Sequence, residues 1–269
     1  MKAIEYYKLA ANLGDSYALL FLGIHYEDGS GVKQDYLKAK KYYEMSAKLK
    51  NSNGFLNLGL LYEKGRGVKQ DYEKAKKYYE LSAELGNSKA CFNLGRMYEI
   101  GKGFQQDYLK AKKLYELSAK LNNPNAFYNL GRLYCIGLGV EQDYLKAKKF
   151  FELAAIRKNL EAFLELGIFY EKGYGVKQDY LKAKEYYEHC AKQNNPNALY
   201  YLGNLYYKGL GVEKDVEKAI HYFELSAKGN YIDAYIMLGS LYEEGNDVKQ
   251  DLQKAQEYFE LAVKEGNSS

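Results

Sequence analysis

Residues 31–44 read GVKQDYLKAKKYYE, and the chain returns to nearly the same stretch at residues 67–80 and 175–188. Seven glycines, each preceded by a leucine, are also spaced 36 residues apart. They are Gly23, Gly59, Gly95, Gly131, Gly167, Gly203 and Gly239. A fixed period of this length is typical of repeat proteins, in which each unit buries its apolar face against its neighbours. The spacing never slips, so we expect a single repeat array over residues 1–269.

Each repeat carries the signals of two helices joined by a short loop, as residues 87–122 illustrate. Apolar residues recur at helical spacing in the first half, which follows Asn87 at the position of a helix N-cap. Gly101 stands where a helix ends in a left-handed residue. Asp107 closes the loop and is expected to cap the second helix, where its charge also favours the positive end of the helix. A structural role for this aspartate is favoured over a metal-binding one.

Small and aromatic residues recur at positions that predict close helix packing. The second helix carries Ala111, Tyr115 and Ala119 on one face, and small residues there allow neighbouring helices to approach while a ring fills the remaining space. A further tyrosine follows each leucine–glycine pair, and this ladder is predicted to be core rather than a base-stacking platform. Its members are Tyr26, Tyr62, Tyr98, Tyr134, Tyr170, Tyr206 and Tyr242.

These signals predict an all-α chain of seven helix pairs with no strand. The pairs are expected to begin near residues 15, 51, 87, 123, 159, 195 and 231, after a lone helix at residues 2–13. The connecting loops are short, so the two helices of each pair are expected to run antiparallel.

The repeated pattern A-x-x-x-L-G-x-x-Y-x-x-G-x-G-V-x-x-D-Y-x-K-A resembles that of the Sel-1-like repeat (SLR) family, a relative of the tetratricopeptide repeats. The resemblance covers the whole chain. It implies an α/α right-handed superhelix (solenoid) of seven 36-residue helix-pair repeats plus an N-terminal half repeat. It also implies a non-catalytic scaffold or adaptor that binds protein partners, without identifying one of them.

Positions that vary between the copies predict where a partner binds. On each first helix, the residues six and two before the leucine–glycine glycine and one and five after it share a face. In related superhelices this face lines the concave groove, where asparagine and basic residues hold extended acidic peptides. The expected peptide-binding residues are Asn57, Lys89, Asn93, Arg96, Asn129, Arg132, Tyr201 and Asn204. The alternative is that these side chains are ordinary solvated groups, or that the asparagines brace the neighbouring helix.

Composition and motifs favour no catalytic, metal-binding or cofactor-binding role. The net charge of +4 is too weak to predict binding to nucleic acid or to a membrane surface. No HExxH or GxSxG motif occurs, and the loop glycines recur in every repeat, unlike a single nucleotide site. The alternative function is a β-lactamase or penicillin-binding-like activity, as in the cysteine-rich branch of the family. That branch carries regular cysteine pairs, whereas Cys91, Cys135 and Cys190 occupy different repeat positions.

The two ends of the sequence lead to predictions about location and assembly. The first residues show no secretory signal and no stretch is apolar enough to span a bilayer, so a cytoplasmic location is expected. Neither end has the polar outer face that usually closes a repeat array. End-to-end self-association, or a longer parent protein, is therefore expected.

Overall fold

A computed structural model describes residues 2–266, which form fifteen α-helices and no β-strand. The lone helix α1 spans Lys2–Asn12. The first helices of the seven pairs are α2 (Ser16–Asp28), α4 (Ser52–Lys64), α6 (Ser88–Ile100), α8 (Pro124–Ile136), α10 (Leu160–Lys172), α12 (Pro196–Lys208) and α14 (Ile232–Glu244). The second helices are α3 (Tyr36–Lys48), α5 (Tyr72–Glu84), α7 (Tyr108–Lys120), α9 (Tyr144–Ile156), α11 (Tyr180–Ala191), α13 (Val216–Lys228) and α15 (Leu252–Gly266). The predicted fold class is confirmed.

The helices begin and end where the capping residues predict. Asn87 accepts hydrogen bonds from backbone N–H groups in the first turn of α6, and Gly101 ends that helix with a φ of 67°. The Asp107 carboxylate accepts a hydrogen bond from the backbone N–H of Lys110 at 2.9 Å, so this aspartate caps α7. These side chains satisfy backbone groups that have no partner inside the helix.

A column of rings from the second helices forms the deepest part of the core. Tyr79 is fully buried, and its ring lies directly on Gly59 of the first helix in the same repeat. A Cβ atom at Gly59 would lie 2.5 Å from Cε1 of Tyr79, so only glycine fits beneath the ring. The equivalent fully buried rings are those of Tyr43, Tyr115, Phe151, Tyr187 and Phe223.

The tyrosine ladder of the first helices is less buried than the sequence predicts. Tyr206 is buried, whereas the other six members of the ladder are half-buried. These rings flank the deeper column, since Tyr26, Tyr62 and Tyr98 pack around the core clusters of their repeats. The main core position is therefore the ring of the second helix.

The chain divides into two compact units, Met1–Gln142 and Asp143–Ser269. Helices α1 to α8 belong to the first unit and α9 to α15 to the second. Within each unit, every helix packs against the next helix along the chain. A single unbroken array over residues 1–269 stays a prediction.

Among residues 2–266, no helix combines the length and the apolar character that crossing a membrane requires.

Candidate functional site

The buried tyrosine of a second helix is hydrogen-bonded to a glutamate of the first helix in its own repeat. The Tyr43 hydroxyl donates to Oε2 of Glu27 at 2.7 Å, and the Tyr79 hydroxyl donates to Oε2 of Glu63 at 2.6 Å. The same bond joins Tyr115 to Glu99 and Tyr187 to Glu171. A hydrogen bond to a carboxylate is stronger than one between neutral groups, so these bonds lock the two helices of a repeat together.

A cation supplied by the next repeat neutralises three of these glutamates. Arg66 Nη1 lies 3.0 Å from Oε1 of Glu27, Lys102 Nζ lies 3.2 Å from Oε1 of Glu63, and Arg132 Nη1 lies 3.3 Å from Oε1 of Glu99. The Glu99 side chain is only 11% exposed. A buried carboxylate needs such a partner, and removing it is costly. Arg132, predicted to bind peptide, is therefore engaged within the protein.

The predicted asparagines lie at the same clusters. Asn57, Asn93 and Asn129 lie close to the hydroxyls of Tyr43, Tyr79 and Tyr115 respectively, and each amide opposes the rise in the pKa of its tyrosine. Burial raises the pKa of the Tyr79 hydroxyl, the Glu63 carboxylate raises it further, and the Asn93 amide opposes the rise. Each asparagine thus lies near the second helix of the preceding repeat. This placement agrees with the bracing alternative, and a peptide-binding role of the asparagines stays a prediction.

Lys89 and Arg96 differ from the other predicted residues of the first unit because they are exposed. Neither side chain makes a salt bridge with a residue in the range 2–266. Both lie on α6, and Asn93 between them shares their face because residues four and seven apart lie above one another on a helix. Burial raises the pKa of Tyr79 and of Tyr115, and the charge of Arg96 opposes the rise at both hydroxyls. Arg96 therefore lies between two neighbouring clusters.

The remaining two predicted residues lie in the second unit, on α12. Tyr201 occupies the position that Asn57 and Asn93 hold in other repeats. It is half-buried and stacks on the Tyr187 ring with a centroid distance of 5.0 Å and an interplanar angle of 13°. Asn204 is half-buried on the same helix.

The cysteines and histidines form no recognisable catalytic arrangement in the part of the chain that the structure describes. Cys91 and Cys190 are buried free thiols, and burial raises the pKa of Cys190 to about 11, which disfavours the reactive thiolate. His25 Nδ1 lies 2.8 Å from the Ser30 carbonyl oxygen, and His189 stacks on Phe163. Residues 2–266 contain no group of three or more histidine, cysteine, aspartate or glutamate side chains able to hold a metal ion.

The tyrosine–glutamate pair predicts an energetic coupling within one repeat. Tyr115→Phe is expected to lower the free energy of unfolding by about 1–3 kcal/mol, because Glu99 loses a donor while remaining buried. Adding Glu99→Cys recreates the natural combination of Cys135 and Phe151 in the next repeat. The double variant should therefore lose less than the sum of the single variants in urea unfolding. Strictly additive losses would contradict the coupling.

In a comparison with known protein families, the chain matches the Sel1 repeat. The matched segments are residues 1–15, 16–51, 56–87, 88–123, 124–159, 161–195, 196–231 and 232–267. A comparison with functionally curated proteins gives no match.

Solved structures of repeat proteins are similar to the chain. A Sel1 repeat protein from Oxalobacter formigenes is 32% identical with a TM-score of 0.81, and the alignment covers 91% of this chain and 99% of that one. The c5321 protective antigen of uropathogenic Escherichia coli, described as having an SLR fold, is 30% identical with a TM-score of 0.87. That alignment covers 98% of this chain but 57% of the antigen. An immunity protein of Pseudomonas aeruginosa, PA5088, is 23% identical over 80% of this chain and 82% of its own, with a TM-score of 0.54, and so shares the fold.

Proposed function

The chain belongs to the Sel1 repeat family, whose repeats generally serve protein interaction, and from this premise we propose that it is a non-catalytic scaffold for extended acidic peptides. The proposed binding surface is the face of α6 that carries Lys89, Asn93 and Arg96, together with the equivalent face of α8.

The observation that carries the proposal is the exposed guanidinium of Arg96. The other two arginines of these clusters, Arg66 and Arg132, are held by Glu27 and Glu99, whereas Arg96 makes no salt bridge within residues 2–266. An arginine fork binds a carboxylate through two parallel hydrogen bonds, which makes it selective for acidic groups. The Arg96 guanidinium can therefore donate hydrogen bonds to a carboxylate of a partner.

Neighbouring side chains on the same face add to the surface. Lys89 contributes a second positive charge, and the Asn93 amide, which lies near the Tyr79 hydroxyl, offers two donors and an acceptor. Ile100 continues this face of α6 and is 56% exposed. Asn129, only 7% exposed, contributes mainly to the internal network. The surface therefore suits a segment that combines an acidic residue with an apolar one.

The proposal is tested with a peptide array probed by the wild type and by Arg96→Ala. The wild type should select peptides that contain aspartate, glutamate or a C-terminal carboxylate, and the variant should lose most of that selection. Identical binding patterns would show that Arg96 does not recognise the partner. Nitrocefin hydrolysis by the same wild-type preparation would instead support the β-lactamase-like alternative. End-to-end association and a cytoplasmic location stay predictions.

A further inference from the structure

A second tyrosine ladder runs along the second helices and stacks on the ladder of the first helices. In five repeats the two rings are nearly parallel, with centroids 5.5–6.1 Å apart and interplanar angles of 11–18°. The pairs are Tyr26–Tyr42, Tyr62–Tyr78, Tyr170–Tyr186, Tyr206–Tyr222 and Tyr242–Tyr258. Offset stacking at this distance adds to the stability that burial of the rings supplies.

In each pair we call the tyrosine of the second helix the outer tyrosine. In four repeats it also lies near a glutamate of the preceding second helix. Burial raises the pKa of the Tyr78 hydroxyl, and the charges of Tyr62 and of Glu44 on α3 raise it further. The corresponding glutamates raise the pKa of the equivalent tyrosines, after burial, in three other repeats: Glu152 for Tyr186, Glu188 for Tyr222 and Glu224 for Tyr258. In these four repeats the glutamate of the preceding second helix therefore lies close enough for its charge to act on the hydroxyl of the outer tyrosine.

The third repeat lacks this ring because Leu114 occupies the position of Tyr78. A groove of about 440 Å³ remains there between α5 and α7, with Leu94 and Tyr98 of α6 among its lining residues. The equivalent groove of the first repeat, where Tyr42 is present, has a volume of about 310 Å³. Leu114 is smaller than tyrosine and therefore leaves a larger groove beside Tyr98.

The residues that line the groove suit a tyrosine side chain, the residue that this repeat lacks. Leu94 and Leu114 supply an apolar floor, and the wall residue Leu117 is 42% exposed. Tyr98 contacts Phe104 at a tilt of 51° and has no parallel ring like those stacked on Tyr26 and Tyr62. Glu80 lines the groove at the repeat position of Glu44, the carboxylate whose charge raises the pKa of the Tyr78 hydroxyl. Glu84, Lys110 and Lys113 also line the groove, so its polar rim carries two charges of each sign, while the apolar floor favours a neutral ring.

We propose that this groove is a docking site for a tyrosine side chain presented by a partner protein. The ring would stack on Tyr98 against Leu114 and Leu117, as the second-helix tyrosines stack on the first-helix ladder in other repeats. Its hydroxyl would donate to Glu80. The groove is independent of the acidic-peptide surface. Leu94 and Tyr98 lie on nearly the opposite side of α6 from Asn93 and Arg96, because successive residues are about 100° apart around a helix.

The test uses N-acetyl-L-tyrosinamide as the probe and leucine methyl resonances of the intact chain as the readout. The wild type should show saturable shifts at Leu94 and Leu117. N-acetyl-L-leucinamide should give much smaller shifts. N-acetyl-L-phenylalaninamide should bind several-fold more weakly than the tyrosine probe, since it cannot donate to Glu80.

Leu114→Tyr is the matched variant, because it restores the residue that five other repeats carry. It should weaken binding of the tyrosine probe at least tenfold and leave acidic-peptide binding unchanged. If this variant does not fold, Leu117→Glu replaces an exposed wall residue and should have the same effect on the probe, followed at Leu94. Absence of saturable shifts in the wild type, or unchanged probe binding in the folded variant, would overturn the proposal.

Discussion

Replacing Tyr79 with alanine is expected to lower the free energy of unfolding by about 3–5 kcal/mol. The ring is fully buried against Gly59, so truncation leaves a cavity that the rigid helix backbone cannot fill. The change also removes the hydroxyl that donates to Glu63, whose side chain is only 13% exposed. Urea unfolding followed by circular dichroism measures the loss.

Tyr98→Ala is the control for this prediction. Tyr98 belongs to the half-buried ladder and lies beside the groove at Leu114, so its removal should cost clearly less than the removal of Tyr79. Equal losses for the two variants would contradict the view that the second-helix rings form the main core column.

The second large effect concerns binding, where Arg96→Ala and Arg132→Ala should behave differently. Loss of the exposed Arg96 should weaken binding of an acidic peptide by about 1.5–3 kcal/mol, roughly ten- to hundredfold, with little change in stability. Arg132→Ala should instead destabilise the protein, because Glu99 is left buried without its cation. Fluorescence polarisation and thermal unfolding of both variants separate the two effects. The distinction fails if both variants lose affinity equally and neither loses stability.

The fold could be predicted because its determinants are local and repeated. A cap such as Asp107 acts within three residues of itself, and a left-handed glycine such as Gly101 ends a helix by its own conformation. The repetition of these signals gave helix starts that agree with the structure to about one residue. The degree of burial of each ring was harder to predict, because Tyr79 and Tyr98 have the same side chain and both lie on apolar faces.

The first-helix glutamate that accepts a hydrogen bond from the buried tyrosine was not predicted, although the sequence contains a signal for it. Where the position four residues after the glycine is Glu27, Glu63, Glu99 or Glu171, the ring sixteen residues later is a tyrosine. Where that position is Cys135 or Tyr207, the ring is Phe151 or Phe223. A hydroxyl is thus present only where a carboxylate can accept its hydrogen bond. Glu243 with Phe259 is the exception, and Glu243 is exposed.

The sequence predicts which helix face carries the candidate site, but it does not predict the role of each residue on that face. Helical periodicity places Asn93 and Arg96 together, but it does not reveal that the Asn93 amide lies near the hydroxyl of Tyr79 in the preceding repeat. Likewise, Arg96 and Arg132 occupy the same repeat position, yet only Arg132 pairs with a glutamate. Such differences depend on side-chain contacts between repeats, which spacing along the chain does not specify.

The central claim, that Arg96 recognises a carboxylate of a partner peptide, is tested most directly by a double-mutant cycle. An acidic peptide selected on the array, and the same peptide with its acidic residue changed to the corresponding amide, are titrated into the wild type and into Arg96→Ala. A direct contact predicts a coupling energy of at least about 1.5 kcal/mol between the two changes. Additive effects, with no coupling, would contradict the claim.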